Sequence, residues 1–245
     1  MFKKVQIGTG SRLTIVDHNE SYGRHILNEV SKKWEVSSCI DLGCGQGSDL
    51  SIIKNNFPNA RLIGVDFGDW NREILKDKGI EVISVNIEHE KLPFPDSSID
   101  LIIANQVLEH TKEIYWINQE VFRVLKKGGI FFIGVPNILS FHNRILMFFG
   151  IHPTQAKLIS AHVRIFSKND TVLFYREIAD KFCELVGFYG SQFYPFPKLI
   201  ARVLSRIFPT SAFSNFFVFR KINDYDNEFL EHPKSHVLET NFYIG

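Results

Sequence analysis

The sequence predicts an α/β fold built on a doubly wound, mostly parallel sheet, and three observations carry that expectation. Short apolar runs alternate with amphipathic segments between residues 37 and 136, the rhythm of repeated βαβ units. One run, Ser37–Ile40, turns through glycines at 43, 45 and 47 into a helical segment that starts at Ser48 and stops at Pro58. Another, Arg61–Asp66, ends in an acid about 20 residues past those glycines, the spacing at which a ribose diol finds its acceptor. A strand that bends through glycines into a helix brings backbone close to a ligand and leaves N–H groups unpaired at the helix start. Nucleotide-like cofactors bind at such turns.

The spacing narrows the cofactor. Dinucleotide sites use Gly-x-Gly-x-x-Gly, whereas here the glycines alternate and Asp41 stands just ahead of them. A pyrophosphate would be repelled by that carboxylate, but a zwitterionic amino-acid tail carries an ammonium that can use it. Asp-Leu-Gly-Cys-Gly-Gln-Gly, residues 41–47, resembles motif I of the class I S-adenosylmethionine (SAM)-dependent methyltransferases. Further matched segments follow in order: the Asp66 strand, Leu92-Pro-Phe-Pro-Asp96 leading to a fourth strand at Leu101–Ala104, Leu108-Glu-His110 after it, and Leu125-Lys-Lys-Gly128-Gly129 before a fifth at Gly129–Val135.

That resemblance implies a Rossmann-like seven-stranded sheet with an antiparallel last strand, and a helical lid inserted after strand five. It implies SAM as cofactor and S-adenosylhomocysteine as product. Cofactor-binding positions carried over are Asp41, Gly43, Cys44, Gly45 and Gly47 in the turn, Asp66 for the ribose, and Phe67, Asn86 and Ile87 around the adenine. Asn105 and Gln106, after strand four, complete the set. The family usually has Asp at position 86; an Asn carbonyl can still accept the adenine amino group. Cys44 reads as a small packed side chain rather than a nucleophile.

Composition bounds the rest. An apolar content of 44% over 245 residues supports one domain with a sizeable core, and a net charge of +1 argues against nucleic acid held by bulk electrostatics. Cys39, Cys44 and Cys183 are too scattered for a disulfide framework or a metal knuckle. The N-terminus lacks a signal-peptide pattern and no run approaches a membrane span, so a cytoplasmic location is expected.

Taken in order, residues 19–136 form the expected cofactor-binding core, 137–166 the lid and acceptor wall, 167–221 a helix with strands six and seven, and 222–245 a polar tail that either wraps the domain or is loosely ordered. A strand at Leu13–Val16 is one reading of the start. Asn19 or Ser21 can cap a helix with Tyr22, Ile26, Val30 and Trp34 on one stripe. Thr111 can cap the next clear helix, whose buried face is Ile114, Ile117, Val121, Val124 and Leu125. A helix follows strand five over Asn137–Gly150, another spans Asp170–Val186, and strands six and seven are Phe188–Phe193 and Ser214–Lys221. Between these strands, Lys198–Phe208 places Leu199, Val203 and Ile207 on one face and Lys198, Arg202 and Arg206 on another. Such a helix either packs on the sheet edge or on a second subunit of a homodimer, or docks peripherally on an anionic membrane.

Methyl transfer to an alcohol benefits from a base, because the acceptor proton must leave. His110 lies beside the cofactor and His162 on the lid, and these two are the candidate catalytic residues. If His162-Val163-Arg164 is extended, His162 and Arg164 aim to one side, pairing a base with a guanidinium suited to phosphate or carboxylate. Arg164, His142 and Arg144 are the candidate acceptor-binding residues. Gln106 stands where a further acid would serve a divalent metal, so no metal is expected. The lid pattern resembles bacterial methyltransferases of surface-polysaccharide, or capsule, and sugar-nucleotide biosynthesis. It implies a small anionic acceptor: a sugar, sugar nucleotide or phosphorylated group. The alternatives are a lipophilic acceptor such as a quinone or lipid-linked saccharide, a non-catalytic SAM-binding partner protein, and a dehydrogenase.

Overall fold

The structure, a computed structural model, describes residue 20 and residues 22–243. The expected strand at Leu13–Val16 and the candidate caps Asn19 and Ser21 lie outside the described residues. The chain runs α1 (Arg24–Ser31), β1 (Ser38–Leu42), α2 (Ser48–Asn56), β2 (Arg61–Asp66), α3 (Arg72–Asp77), β3 (Glu81–Ser84) and β4 (Ile99–Asn105). It continues with α4 (Ile114–Val124), β5 (Leu125–Pro136), α5 (Phe141–Phe148), α6 (Lys168–Ala179), β6 (Cys183–Ser191), α7 (Lys198–Ile207), β7 (Ser214–Lys221) and α8 (Glu228–Ser235).

All seven strands join one sheet in the order β3-β2-β1-β4-β5-β7-β6, and β7 alone runs against its neighbours. This is the expected doubly wound sheet with its antiparallel last strand. β1 pairs in parallel with β2 on one side and β4 on the other. The winding therefore reverses between β1 and β4, and a crevice opens past their carboxyl ends. Strand alternation divides the core. Ile40, Leu42, Ile102 and Ile133 meet α4, α6 and α8 on one face, while Cys39, Leu101 and Ile103 meet α1, α2 and α3 on the other.

Several boundaries differ from expectation for identifiable reasons. The helix expected to reach Val186 stops at Ala179, and Cys183–Leu185 instead pair with Phe219–Lys221 of β7. The helical spacing of Phe182 and Leu185 is overridden by that pairing, so strand six begins at Cys183 and not at Phe188. Leu125 opens β5 rather than closing α4. Thr111 is not a cap: its hydroxyl donates to Leu108 O, and the Glu88 carboxylate receives Lys112 N and Glu113 N (3.1 Å) instead. The lid helix is shorter than Asn137–Gly150 because Asn137 is committed elsewhere; its amide donates to Thr210 O and Ala212 O.

The basic helix forms as α7 but faces the other way from an ordinary edge helix. Ala201 and Ser205 are buried, while Leu199, Val203 and Ile207 stand in solvent. What seats it is ionic: Arg202 makes two hydrogen bonds to Glu20 (2.6 and 3.0 Å) and Lys198 Nζ lies 3.0 Å from the same carboxylate. Against the cost of burial, the Arg202 and Lys198 hydrogen bonds hold the Glu20 acid down at about 2.

The 23 phenylalanines also find an explanation. Phe122 packs edge-on to Phe131 and Phe182 and stacks on Phe229, with Tyr175 against Phe219 beside them. Phe229 comes from α8, so the polar tail wraps the domain and pins it with one fully buried ring. Phe229→Ala should lower unfolding free energy by about 3–5 kcal/mol, read by chemical denaturation; a loss below about 1 kcal/mol would mean that α8 contributes little to the core.

Candidate active site

The turn from β1 into α2 forms the floor of the crevice. Gly43 N and Cys44 N both donate to Val65 O (2.7 and 3.2 Å), and Gly47 N closes back on Cys44 O (2.8 Å). All three glycines take positive φ, but they do so for different reasons. A Cβ on Gly43 would meet Val107 at 2.6 Å, and one on Gly47 would meet Leu75 at 2.5 Å. Those two are excluded by the protein's own packing rather than by a ligand, which corrects the expectation that all three make room for one. A Cβ on Gly45 would meet nothing within 4 Å, so it would project into open cleft. Cys44 is indeed a packed side chain; burial, with help from the Asp41 and Asp66 charges, pushes its thiol up to about 12.

A cleft of about 320 Å³ lies over this turn, lined by Tyr22, Arg24, Asp41, Gly43, Cys44, Gly45, Gln46, Ser48, Asp49, Asn105 and Gln106. Asp66 stands at its edge, with its carboxylate accepting from Gly45 N (3.2 Å) and Phe67 N (2.9 Å). Val85 N donates to Asp66 O and Ser84 Oγ to Phe67 O, and this carries Asn86 and Ile87 alongside. Phe67 is exposed, as a ring lying on a ligand face would be before the ligand arrives. The Asn86 carbonyl already accepts from Glu88 N (3.1 Å), leaving one lone pair for the expected adenine contact.

Two buried groups belong to the site that sequence reasoning did not single out. Asp49, in the first turn of α2, accepts from Arg24 Nε (3.0 Å) and Asn105 Nδ2 (2.8 Å). Only its place two residues past the glycines could have flagged it. Burial, then the Asp49 charge, pushes the Asp41 acid well above its usual range. A ligand cation would restore the charged form, and Asn105 Oδ1 and Gln106 Nε2 are buried without partners. The other missed group is Glu109, discussed below.

The lid leaves and returns at one point. Asn137 pairs with Phe166 in a parallel bridge, and Ile138 N donates to Phe166 O (2.9 Å). Its return strand lies on the loop after β4: Val163 N and Arg164 N donate to Glu109 O (2.8 and 3.1 Å). His162 and Arg164 both reach the loop after β4, through separate contacts. The His162 ring stands edge-on to His110 at 4.8 Å, and Arg164 donates to Lys112 O. His162 Nδ1 and Arg164 Nε are buried without partners. Burial, then the His110 charge, lowers the His162 pKa below 6.5 and keeps it neutral near pH 7.

The other two lid candidates do not join this group. His142 Nε2 meets Thr154 Oγ1 (2.7 Å) and its ring meets Tyr194, while Arg144 Nε donates to Leu139 O (2.7 Å). Glu109, by contrast, sits with the histidines. Its Oε1 lies 4.0 Å from His110 Nε2, its Oε2 is buried without a partner, and burial pushes its acid up to about 8. Glu109, His110 and His162 present ligand atoms within 4.8 Å of one another, a donor set able to hold a divalent cation. The other histidines and cysteines among the described residues form no such group.

Residues 40–133 match the family model described as a methyltransferase domain. The matched segment spans the glycine turn, Asp66, Asn105 and Glu109, and stops short of the lid. A probable S-adenosylmethionine-dependent methyltransferase of Mycolicibacterium smegmatis is 28% identical over 54% of this chain and 52% of its own. A demethylmenaquinone methyltransferase of Lactococcus lactis is 37% identical over 38% of this chain and 39% of its own. The chain thus spans about half the length, or less, of these curated relatives. Among solved structures, the Burkholderia thailandensis 1,6-didemethyltoxoflavin-N1-methyltransferase, with its substrate and S-adenosylhomocysteine bound, superposes with a TM-score of 0.57 at 12% identity, over 84% of this chain and 80% of its own. That likeness extends the fold to the rim, where sequence similarity ends. SAM is the cofactor of this class, and the cleft fits it: an unfilled space at Gly45, orphaned polar atoms at 105 and 106, and carboxylates where an ammonium and a ribose require them.

Two measurements follow. Gly45→Ala should keep most of its thermal stability, losing about 1 kcal/mol to its positive φ, yet lose the melting-temperature rise given by S-adenosylhomocysteine. Gly43→Ala should instead unfold more easily because its methyl meets Val107. An equal ligand-induced shift in Gly45→Ala and wild type would place the cofactor elsewhere. Glu109 holds its proton to about 8 when folded but only to about 4.5 when unfolded, so it lowers stability progressively as pH rises across that window. The melting temperature of Glu109→Gln, relative to wild type, should therefore climb by several degrees between pH 5 and pH 8.5; a constant difference would reject the burial penalty.

Proposed function

We propose that this chain is a SAM-dependent methyltransferase that methylates an oxygen of a small anionic acceptor. The observation that carries it is that the lid returns His162 and the half-buried Arg164 onto the loop after β4, whose first residues, Asn105 and Gln106, line the cofactor cleft. The bound sulfonium supplies an electrophilic methyl group. Asp66 holds the ribose, Phe67 and Ile87 flank the adenine, and Asp41 with the Gly45 backbone and Asn105 receives the amino-acid tail. His162 takes the hydroxyl proton as the acceptor oxygen is alkylated, and His110 orients His162 through ring contact. Arg164 draws a phosphate or carboxylate of the acceptor to the same edge. The lid's likeness to enzymes of surface-polysaccharide and sugar-nucleotide biosynthesis supports a sugar or sugar nucleotide as acceptor.

One feature favours a second reading, a lipophilic acceptor. A partly open, mostly apolar cavity of about 350 Å³ lies under the lid, walled by Leu108, Tyr115, Ile133, Val163 and Phe174, with Arg164 and Asp170 among its lining. Turnover of sugar nucleotides against isoprenoid quinols separates the two acceptors.

His162→Gln should lower kcat by about 10²-fold or more while leaving S-adenosylhomocysteine affinity unchanged. In wild type, kcat/KM should be flat above neutral pH and fall below the lowered His162 pKa, because protonation removes the base. Activity should survive a chelator. Unchanged turnover in His162→Gln rejects the base, and loss on chelation with recovery on adding Mg²⁺ or Mn²⁺ would assign Glu109, His110 and His162 to a metal instead.

A further inference from the structure

Charge is distributed unevenly along this chain, and the unevenness coincides with two segments on one edge of the fold. Residues 137–169 and 192–213 carry Arg144, Lys157, Arg164, Lys168, Lys198, Arg202 and Arg206 but not one Asp or Glu, although the whole chain is nearly neutral at +1. The first segment leaves the carboxyl end of β5, and the second joins β6 to β7 at that same end. The two touch: Phe141 of α5 packs against Phe193 and Phe196, just ahead of α7, and His142 packs against Tyr194.

Both segments present large apolar side chains to solvent. Phe148 is 85% exposed, Leu158 fully so, and Leu199 81%, with Phe149, Ile151, Ile159, Val203 and Ile207 beside them in sequence. Leu199, Val203 and Ile207 form a single line along α7 at four-residue spacing. The inner side of that helix is already engaged through Glu20, so its outward face is not required to hold it in place. Arg206 borders the line, 74% exposed, with Glu29 3.7 Å away as its one carboxylate neighbour among the described residues; Lys157 adjoins Leu158.

We infer that this rim is a membrane-docking surface, which lays the exposed face of α7 and the α5–Ile159 segment into the headgroup region of an anionic bilayer. An apolar stripe bordered by cations, on two segments that carry no carboxylate of their own, matches that surface in both hydrophobicity and sign. A second copy of the chain would bring a rim of the same predominantly positive sign against this one, its nearby acids, Glu20 and Glu29, being already paired with Lys198, Arg202 and Arg206. None of the helices is long and apolar enough to cross a membrane among the described residues, so the contact is peripheral. It is independent of the acceptor and of turnover.

The test is co-sedimentation of the full chain with vesicles of phosphatidylcholine alone and of phosphatidylcholine containing about one third phosphatidylglycerol. Binding is expected to the anionic vesicles, to weaken as salt is raised, and to be at least about ten-fold lower for Leu199→Ser/Val203→Ser/Ile207→Ser. Phe148→Ser/Phe149→Ser is a second variant on the other segment, expected to lose binding likewise. Both should keep the wild-type melting temperature and S-adenosylhomocysteine binding, since these side chains are exposed and outside the cofactor cleft. Failure of wild type to sediment with anionic vesicles overturns the inference. So does equal sedimentation of both folded variants, and so does a dimer, seen by light scattering, that the α7 variant splits while no vesicle binding occurs.

Discussion

The Val65 carbonyl is the point on which the site depends. It accepts two successive N–H groups, Gly43 and Cys44, and so forces the chain leaving β1 to curl back over the end of β2 instead of running on. The curl closes because Cys44 Sγ occupies the space above Gly64, where a side chain would collide at 2.6 Å. With Asp41 opposite Gly64 and Leu42 opposite Val65 in register, the tip of β2 arrives beside the turn, and the Asp66 carboxylate reaches Gly45 N. Two glycines are thus consumed by packing, and the third is left facing the cleft. The geometry that receives a ligand is set by apolar contacts beneath it.

Electrostatically, the two sides of the crevice are opposites. The floor gathers Asp41, Asp49 and Asp66, with Arg24 bound to Asp49, whereas the lid's ionisable groups are imidazoles, guanidinium groups and the Lys157 ammonium. Burial pushes the Asp41 and Asp49 acids upward, and the Asp49 charge pushes Asp41 further still. A cationic ligand lowers that repulsion on arrival, while an anionic one is drawn to the lid.

Much of this was legible beforehand, because the features concerned are local. The glycine turn, the acid at the end of β2 and the order of strands are read from residues adjacent in sequence. What could not be read depends on partners far apart in the chain. Helix α6 ends early because β7, some forty residues on, claims Cys183–Leu185. Helix α7 shows its apolar side to solvent because Glu20, at the other end of the chain, binds its cations. Glu109 looked like part of a signature, and only the fold reveals that Oε2 is sealed from water. His142 and Arg144 had the right chemistry and proximity in sequence, but α5 turns them toward Thr154 and Leu139.

The bridge between Asn137 and Phe166 makes the lid a loop closed at its own neck, fastened below by the Asn137 amide to Thr210 and Ala212. A segment tied off in this way can be lengthened, shortened or rewritten near its tip without disturbing the hydrogen bonding of β5, while its return stays fastened to Glu109 O through Val163 and Arg164. Variation is thereby confined to an excursion whose two ends are fixed to the sheet and to the loop after β4.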